Sequence, residues 1–180
     1  MKEVAVKHEA NQSIFDMRAK ELAKILDDKT KRAGTSFLVF CLGTGKNEKY
    51  ALPYQHIEKV VPLHRLTVIP GAPNLFLGIT YHNAEVWPVI NTEVLLGFDS
   101  EKMQPEYVLL VRDGVYRYAL AVRYILGHQH LEVEKNMTQL AGNQVKKNRY
   151  ILGVWQSDIS VIDDKAMFNF MNQMSLDSTF

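Results

Sequence analysis

Two imidazoles, His128 and His130, flank Gln129, a spacing that puts both on the same face of an extended strand. A divalent metal there would need further ligands, such as Glu132 or Glu134, from that face. Two ligands on one strand do not make a site, so no metal is expected. Gly43-Thr44-Gly45-Lys46 has the composition of a phosphate loop but not its spacing, and Asn47 stands where Ser or Thr would hold magnesium; it reads as a hairpin turn. Cys41 follows Phe37-Leu38-Val39-Phe40 inside an apolar run, where a thiol packs rather than attacks. Asp158, Asp163 and Asp164 read as turn and helix-cap residues, since a paired-carboxylate site also needs a cleft. Arg112, Arg117 and Arg123, with Tyr116 and Tyr118, offer a different chemistry, the capture of a small anion such as a nucleotide. On alternating strand positions Arg117 and Arg123 need not converge. With no nucleophile elbow, zinc-protease helix or dinucleotide fingerprint in the chain, neither catalysis nor a cofactor is expected.

The elements that would position these residues are mostly strands. The chain has 180 residues, 47% of them hydrophobic, enough for one globular domain with a core but not for two full-sized ones. Its 21 basic and 20 acidic residues leave a formal net charge of +1, with no broad basic face for nucleic acid or an anionic membrane. One cysteine excludes an internal disulfide, and the polar, acid-broken start Met1-Lys2-Glu3-Val4 lacks the apolar centre of a signal peptide. No run reaches the length of a membrane helix, and a cytoplasmic protein is expected.

Phe15, Ala19, Leu22 and Leu26 recur on one helical face between Ser13 and Asp28, with Lys29, Lys31 and Arg32 at the carboxyl end and Gly34 beyond. Residues 1–33 are therefore read as a helical extension and 34–180 as the main domain. From Thr35 short runs rich in Val, Ile, Leu, Tyr and Phe predict strands near 36–42, 49–52, 56–61, 75–82, 85–90, 107–112, 115–121, 124–131, 150–156 and 159–162. Asn83-Ala84 and Asp113-Gly114 read as hairpin turns, 92–96 and 164–174 as short helices, and 139–148 as a loop. No repeat of fixed short period is present, although two groups of about five strands are compatible with the pattern.

The order of these blocks resembles the CheW family of chemotaxis coupling proteins, from about Ser36 to Met167. The first block is Phe37 to Leu42, followed by Tyr50-Ala51-Leu52-Pro53 and His56-Ile57-Glu58-Lys59-Val60. The most specific is Pro73-Asn74-Leu75-Phe76-Leu77-Gly78-Ile79-Thr80, leading to Val86-Trp87-Pro88-Val89-Ile90-Asn91. Later come Val108-Leu109-Leu110-Val111, Tyr118-Ala119-Leu120-Ala121-Val122, Tyr150-Ile151-Leu152-Gly153-Val154 and Val161-Ile162-Asp163. The resemblance implies a mainly β fold of two intertwined five-stranded β-barrels, with an N-terminal and a C-terminal helix. It also implies a noncatalytic adaptor that joins the regulatory domain of a CheA-type histidine kinase to the tip of a methyl-accepting chemoreceptor. The family's partner surfaces would fall here on Ile57, Lys59, Leu66, Gly78, Asn83 and Ile125, with Ile57 inserting into a partner groove and Gly78 permitting close backbone approach.

The chain also departs from that pattern. Asn83 stands where the family usually has an arginine, so a receptor contact resting on a guanidinium must be weaker or replaced. Asn91-Thr92 replaces a common Asp-Leu, Arg123 a common Asp, and Lys59 a frequent acid. A surface changed in this way is expected to prefer a different partner. The preceding helix resembles the arrangement in PilI-like proteins of pilus and twitching-motility systems, and its apolar stripe is a candidate surface for self-association. A small-anion or nucleotide-binding module on the same fold is the alternative.

Overall fold

Strand β1, Thr35–Cys41, buries both its faces, and this is why it reads as one continuous apolar run. Phe37 and Val39 join a small cluster with Ala51, Leu131, Ile159 and Val161, while Leu38 and Phe40 face a much larger one. A strand so placed must lie between two layers. The computed structural model describes residues 35–43, 48–98, 104–138 and 150–177. The expected N-terminal helix, much of the 43–47 turn and the 139–148 loop lie outside them.

The strands that follow are β2 (Lys49–Pro53), β3 (Ile57–Pro62), β4 (Phe76–His82), β5 (Glu85–Asn91), β6 (Tyr107–Asp113), β7 (Tyr116–Val122), β8 (Tyr124–Leu131), β9 (Met137–Thr138), β10 (Ile151–Trp155) and β11 (Ile159–Ile162). Helix α1 is Thr92–Leu95, α2 is Val133–Asn136 and α3 is Asp164–Asp177. One sheet has the order β8-β1-β2-β11-β10-β9 and the other β3-β6-β7-β5-β4. The chain thus begins in the first sheet, builds the whole of the second, and returns to finish the first. This is the expected mainly β, intertwined architecture, with six hydrogen-bonded strands in place of five in the first sheet because the two-residue β9 pairs with β10.

Both sheets close on themselves by the same device. Beyond β3 the chain runs on to Thr67, whose N–H donates to Ile79 O and whose carbonyl accepts from Ile79 N, each at 2.9 Å. The segment that starts on one edge of the five-stranded sheet therefore also bonds the opposite edge, at β4. In the other sheet β8 passes through the single turn α2 into β9, on the far edge.

Corresponding strands pair alike. The hairpins β1–β2 and β6–β7 match, as do β10–β11 and β4–β5, and each hairpin pair is joined by one parallel contact, β2 with β11 and β5 with β7. Bulges fall at the same places: between Phe76 and Gly78 in β4, and between Ile151 and Gly153 in β10. Asn91 Oδ1 accepts from Val94 N at the start of α1, and Asp163 Oδ1 accepts from Ala166 N at the start of α3. The two halves are one supersecondary unit used twice.

The 83–84 turn has both central residues at positive φ, as a two-residue hairpin of primed type requires. The other expected turn is shifted by one residue: Asp113 pairs with Tyr116, so Gly114 and Val115 make the bend, with Gly114 at φ +58°. Trp87 is buried in the large core, which α3 completes with Met167, Phe168 and Met171.

Candidate partner-binding surfaces

Edge strands β3 and β8 occupy equivalent positions, each at the end of its sheet and each bulged where it meets its neighbour. In β3, Ile57 pairs with Val111 and Lys59 with Leu110, which leaves Glu58 as the extra residue. In β8, Ile125 pairs with Phe40 and Gly127 with Val39, which leaves Leu126. Ile57 and Ile125 are thus the same residue of the two halves. Edge strands present unpaired backbone groups, and a bulge re-aims the side chain at its apex.

The apex residues differ. Glu58 forms an ion pair with Arg112, which also reaches Glu85 at 3.5 Å and lies 5.6 Å above the Trp87 ring. The Glu58 hydrogen bond and the Glu58 and Glu85 charges outweigh desolvation and raise the Arg112 pKa above its ordinary value, so this cation is permanent. Arg117 completes the network with Glu85 at 2.6 Å. Leu126, by contrast, is 45% exposed and carries no charge to hold it.

The structure places the six sequence-derived positions unequally. Lys59 is exposed on β3 and Asn83 is exposed at the tip of the β4–β5 hairpin. Leu66 and Ile125 are half-buried and pack against the large core. Ile57 is only 8% exposed and belongs to that core, so its side chain is not a free knob for a partner groove; Glu58 and Lys59 form the surface at that point. Gly78 has φ +145°, and a Cβ there would lie 2.2 Å from Thr67 O. The close approach this glycine permits is that of its own chain, across the seam that closes the five-stranded barrel.

Arg123 also differs from its sequence reading. Its side chain is 16% exposed and its Nε donates at 3.4 Å to Glu93, itself 6% exposed, whose Oε1 accepts from Gly43 N at 2.8 Å as well. The charge that replaces the family's usual acid is spent inside the domain rather than on a partner surface. The matching strand–helix junction of the other half holds a different pair, His56 and Asp164, each one residue out of register with Arg123 and Glu93; they lie 2.7 Å apart, with Phe168 against the imidazole at 4.8 Å. Nothing local in the sequence announces either pair, because each joins a strand junction to a helix far along the chain.

Ser36 Oγ lies 2.8 Å from His128 Nε2 and 3.4 Å from His130 Nδ1 on the exposed face of β8, and Tyr54 packs edge-on against His128. Among the described residues no three His, Cys, Asp or Glu side chains come together as metal ligands. Asp158 pairs with Lys49 at 2.5 Å, and Cys41 is fully buried. Burial, and then the charge and hydrogen bond of Glu48, push the Tyr50 phenol well above its ordinary pKa, so it stays a donor at all working pH. No described residue set assembles a nucleophile, a base and an orienting group.

A family model for the CheW-like domain matches residues 36–169. The chain belongs to the CheW-like domain family. CheW proteins are noncatalytic scaffolds of chemotaxis signalling that engage CheA and chemoreceptors in general, and the chain is read as such a coupling scaffold rather than as an enzyme. Among solved structures, the CheW-like domain is similar to the scaffolding protein TtCheW from Thermoanaerobacter tengcongensis, with 18% sequence identity and a TM-score of 0.60. That match covers 72% of this chain and 88% of the other, and it supports the fold. No curated protein matches the chain. No described helix is long and apolar enough to cross a membrane.

Proposed function

We propose that this CheW-like domain is a cytoplasmic adaptor that couples the regulatory domain of a CheA-type histidine kinase to the tip of a methyl-accepting chemoreceptor. The observation that carries this reading is the pair of equivalent bulged edges. A coupler has to hold two different proteins at once, and β3 and β8 provide one free edge on each barrel with different apexes, an ion-paired Glu58 beside Lys59 and a bare Leu126 beside Ile125. Leu66, Gly78 and Asn83 cluster by sequence and topology around the β4 side of the second barrel, across the seam from β3, and we assign the receptor contact to the β3 edge together with the hairpin tip at Asn83. Without a guanidinium at that tip, recognition rests on an amide and on shape. This favours a receptor other than the usual one, such as that of a PilI-like pilus-motility system. Residues 1–33 form a helical extension in this reading, available to a second copy or to a partner.

The test is assembly. A receptor-tip fragment and the kinase regulatory domain, mixed in solution, are expected to co-elute only when the chain is present. Asn83→Asp is expected to release the receptor fragment and leave the kinase bound. Co-elution without the chain, or a chain that joins neither protein, would contradict the proposal.

A further inference from the structure

The sequence suggests an anion site at Arg112, Arg117 and Arg123, but the structure places carboxylates on all three. A fourth described arginine, Arg65, has no carboxylate partner among the described residues. It lines a cavity of about 620 Å³ beside the seam of the second barrel. Strands form the walls: Val61 and Pro62 come from β3, and Thr80, Tyr81 and His82 from β4. The Arg65 backbone is pinned by the Thr80 hydroxyl, which donates to its carbonyl at 2.9 Å. Thr67, next to the seam, is fixed by its two bonds to Ile79.

The chemistry of this lining is one-sided. Arg65 and His64 offer donors, Thr67 and Tyr81 add hydroxyls, His82 lines the wall, and none of the described residues that line the cavity is acidic. His82 Nε2 is shielded from water and has no hydrogen-bond partner, an unusual state for a buried polar atom. Tyr81, His64 and His82 also bring aromatic rings to the lining, and Val61 and Pro62 apolar side chains. Such a volume suits a ligand of drug or nucleotide size, with a few polar groups fixing its orientation. A guanidinium without a carboxylate is the standard fork for phosphate or carboxylate oxygens.

We infer that the cavity between β3 and β4 binds a small organic anion with a planar or apolar body, its phosphate or carboxylate held by Arg65. The site shares β3 with one of the bulged edges, at Val61 and Pro62 rather than at the Glu58 apex, and the inference does not rest on the adaptor reading. The probe is AMP, titrated calorimetrically into the full chain, with adenosine and inorganic phosphate as the two halves of the ligand. AMP is expected to bind and to raise the melting temperature, with each half binding at least about tenfold more weakly. Arg65→Gln is expected to weaken AMP about ten- to a hundredfold while leaving the melting temperature of the unliganded chain unchanged. His82→Gln, within the same wall, is expected to weaken it less. Absence of AMP binding at millimolar concentration, equal binding of adenosine, or affinity that survives Arg65→Gln would each overturn the inference.

Discussion

The two barrels are built from the same unit, yet they are closed to different tolerances. In the second, the closing strand is pressed against Gly78, whose missing Cβ would sit 2.2 Å from a backbone oxygen at a φ that L side chains rarely adopt. In the first, the equivalent Gly153 faces Met137 Cγ and Thr138 O at 2.7 Å, without a positive φ, and one of those neighbours is a flexible side chain. The second barrel is also tied to α3: Tyr118 donates to Asn172 Oδ1 at 3.1 Å, and Asn172 Nδ2 donates to Asp113 at 2.9 Å. The helix that follows the first barrel thus stabilises the second. The first barrel keeps the small core cluster and the bare apex at Leu126. The tighter seam and the helix contacts lie in one half, and the uncharged bulge apex in the other.

The seams give the sharpest contrast. Gly78→Ala is expected to cost about 3 kcal/mol or more, because neither the Thr67 backbone nor the φ can give way cheaply, whereas Gly153→Ala should cost about 1–2 kcal/mol. Urea unfolding of both variants checks this, and equal costs would erase the distinction. The paired strand junctions come next. Arg123→Ala removes the cation beside the buried Glu93 carboxylate and is expected to cost about 2–4 kcal/mol. His56→Ala is expected to cost less, since the Asp164 carboxylate it leaves behind is 13% exposed, against 6% for Glu93, and sits in the first turn of α3; the midpoint shifts decide the order. At the hairpin tip, Ala84 sits at φ +62°, so Ala84→Gly is expected to stabilise by about 1 kcal/mol. The smallest effect is reserved for residues 1–32: their deletion should leave unfolding cooperative at an unchanged midpoint while changing assembly in size-exclusion chromatography.

Much of the strand order was legible because β1, β6 and β7 are apolar on both faces and the turn residues between them are explicit. The internal duplication was harder to see, although Tyr50-Ala51-Leu52 returns as Tyr118-Ala119-Leu120 and Leu77-Gly78-Ile79 as Leu152-Gly153-Val154. Its spacing changes between strands, 57 to 125 but 78 to 153, because the loops between the strands differ in length, so no fixed period exists. The two-residue β9 and the single turn α2 carry too few residues for any periodic signal. At the candidate site, position could be read from the family pattern, but orientation could not. Ile57 looks like a surface knob in sequence and is buried because the bulge turns Glu58 outward instead. Arg123 looks like a reversed surface charge and is neutralised by Glu93, a partner set only by tertiary packing. Arg65, the one described arginine without a carboxylate, carries no distinguishing sequence signal at all.

The central claim is that two equivalent edges serve two partners. Its most direct test is calorimetric titration of the full chain with the regulatory domain of a CheA-type kinase from the same organism, repeated with Lys59→Glu on β3 and Leu126→Asp on β8. Both residues are exposed, so both variants should fold. The account predicts binding that one of the two variants weakens at least about tenfold and the other leaves intact. Absence of binding to any such kinase domain, or binding that neither edge variant changes, would contradict it.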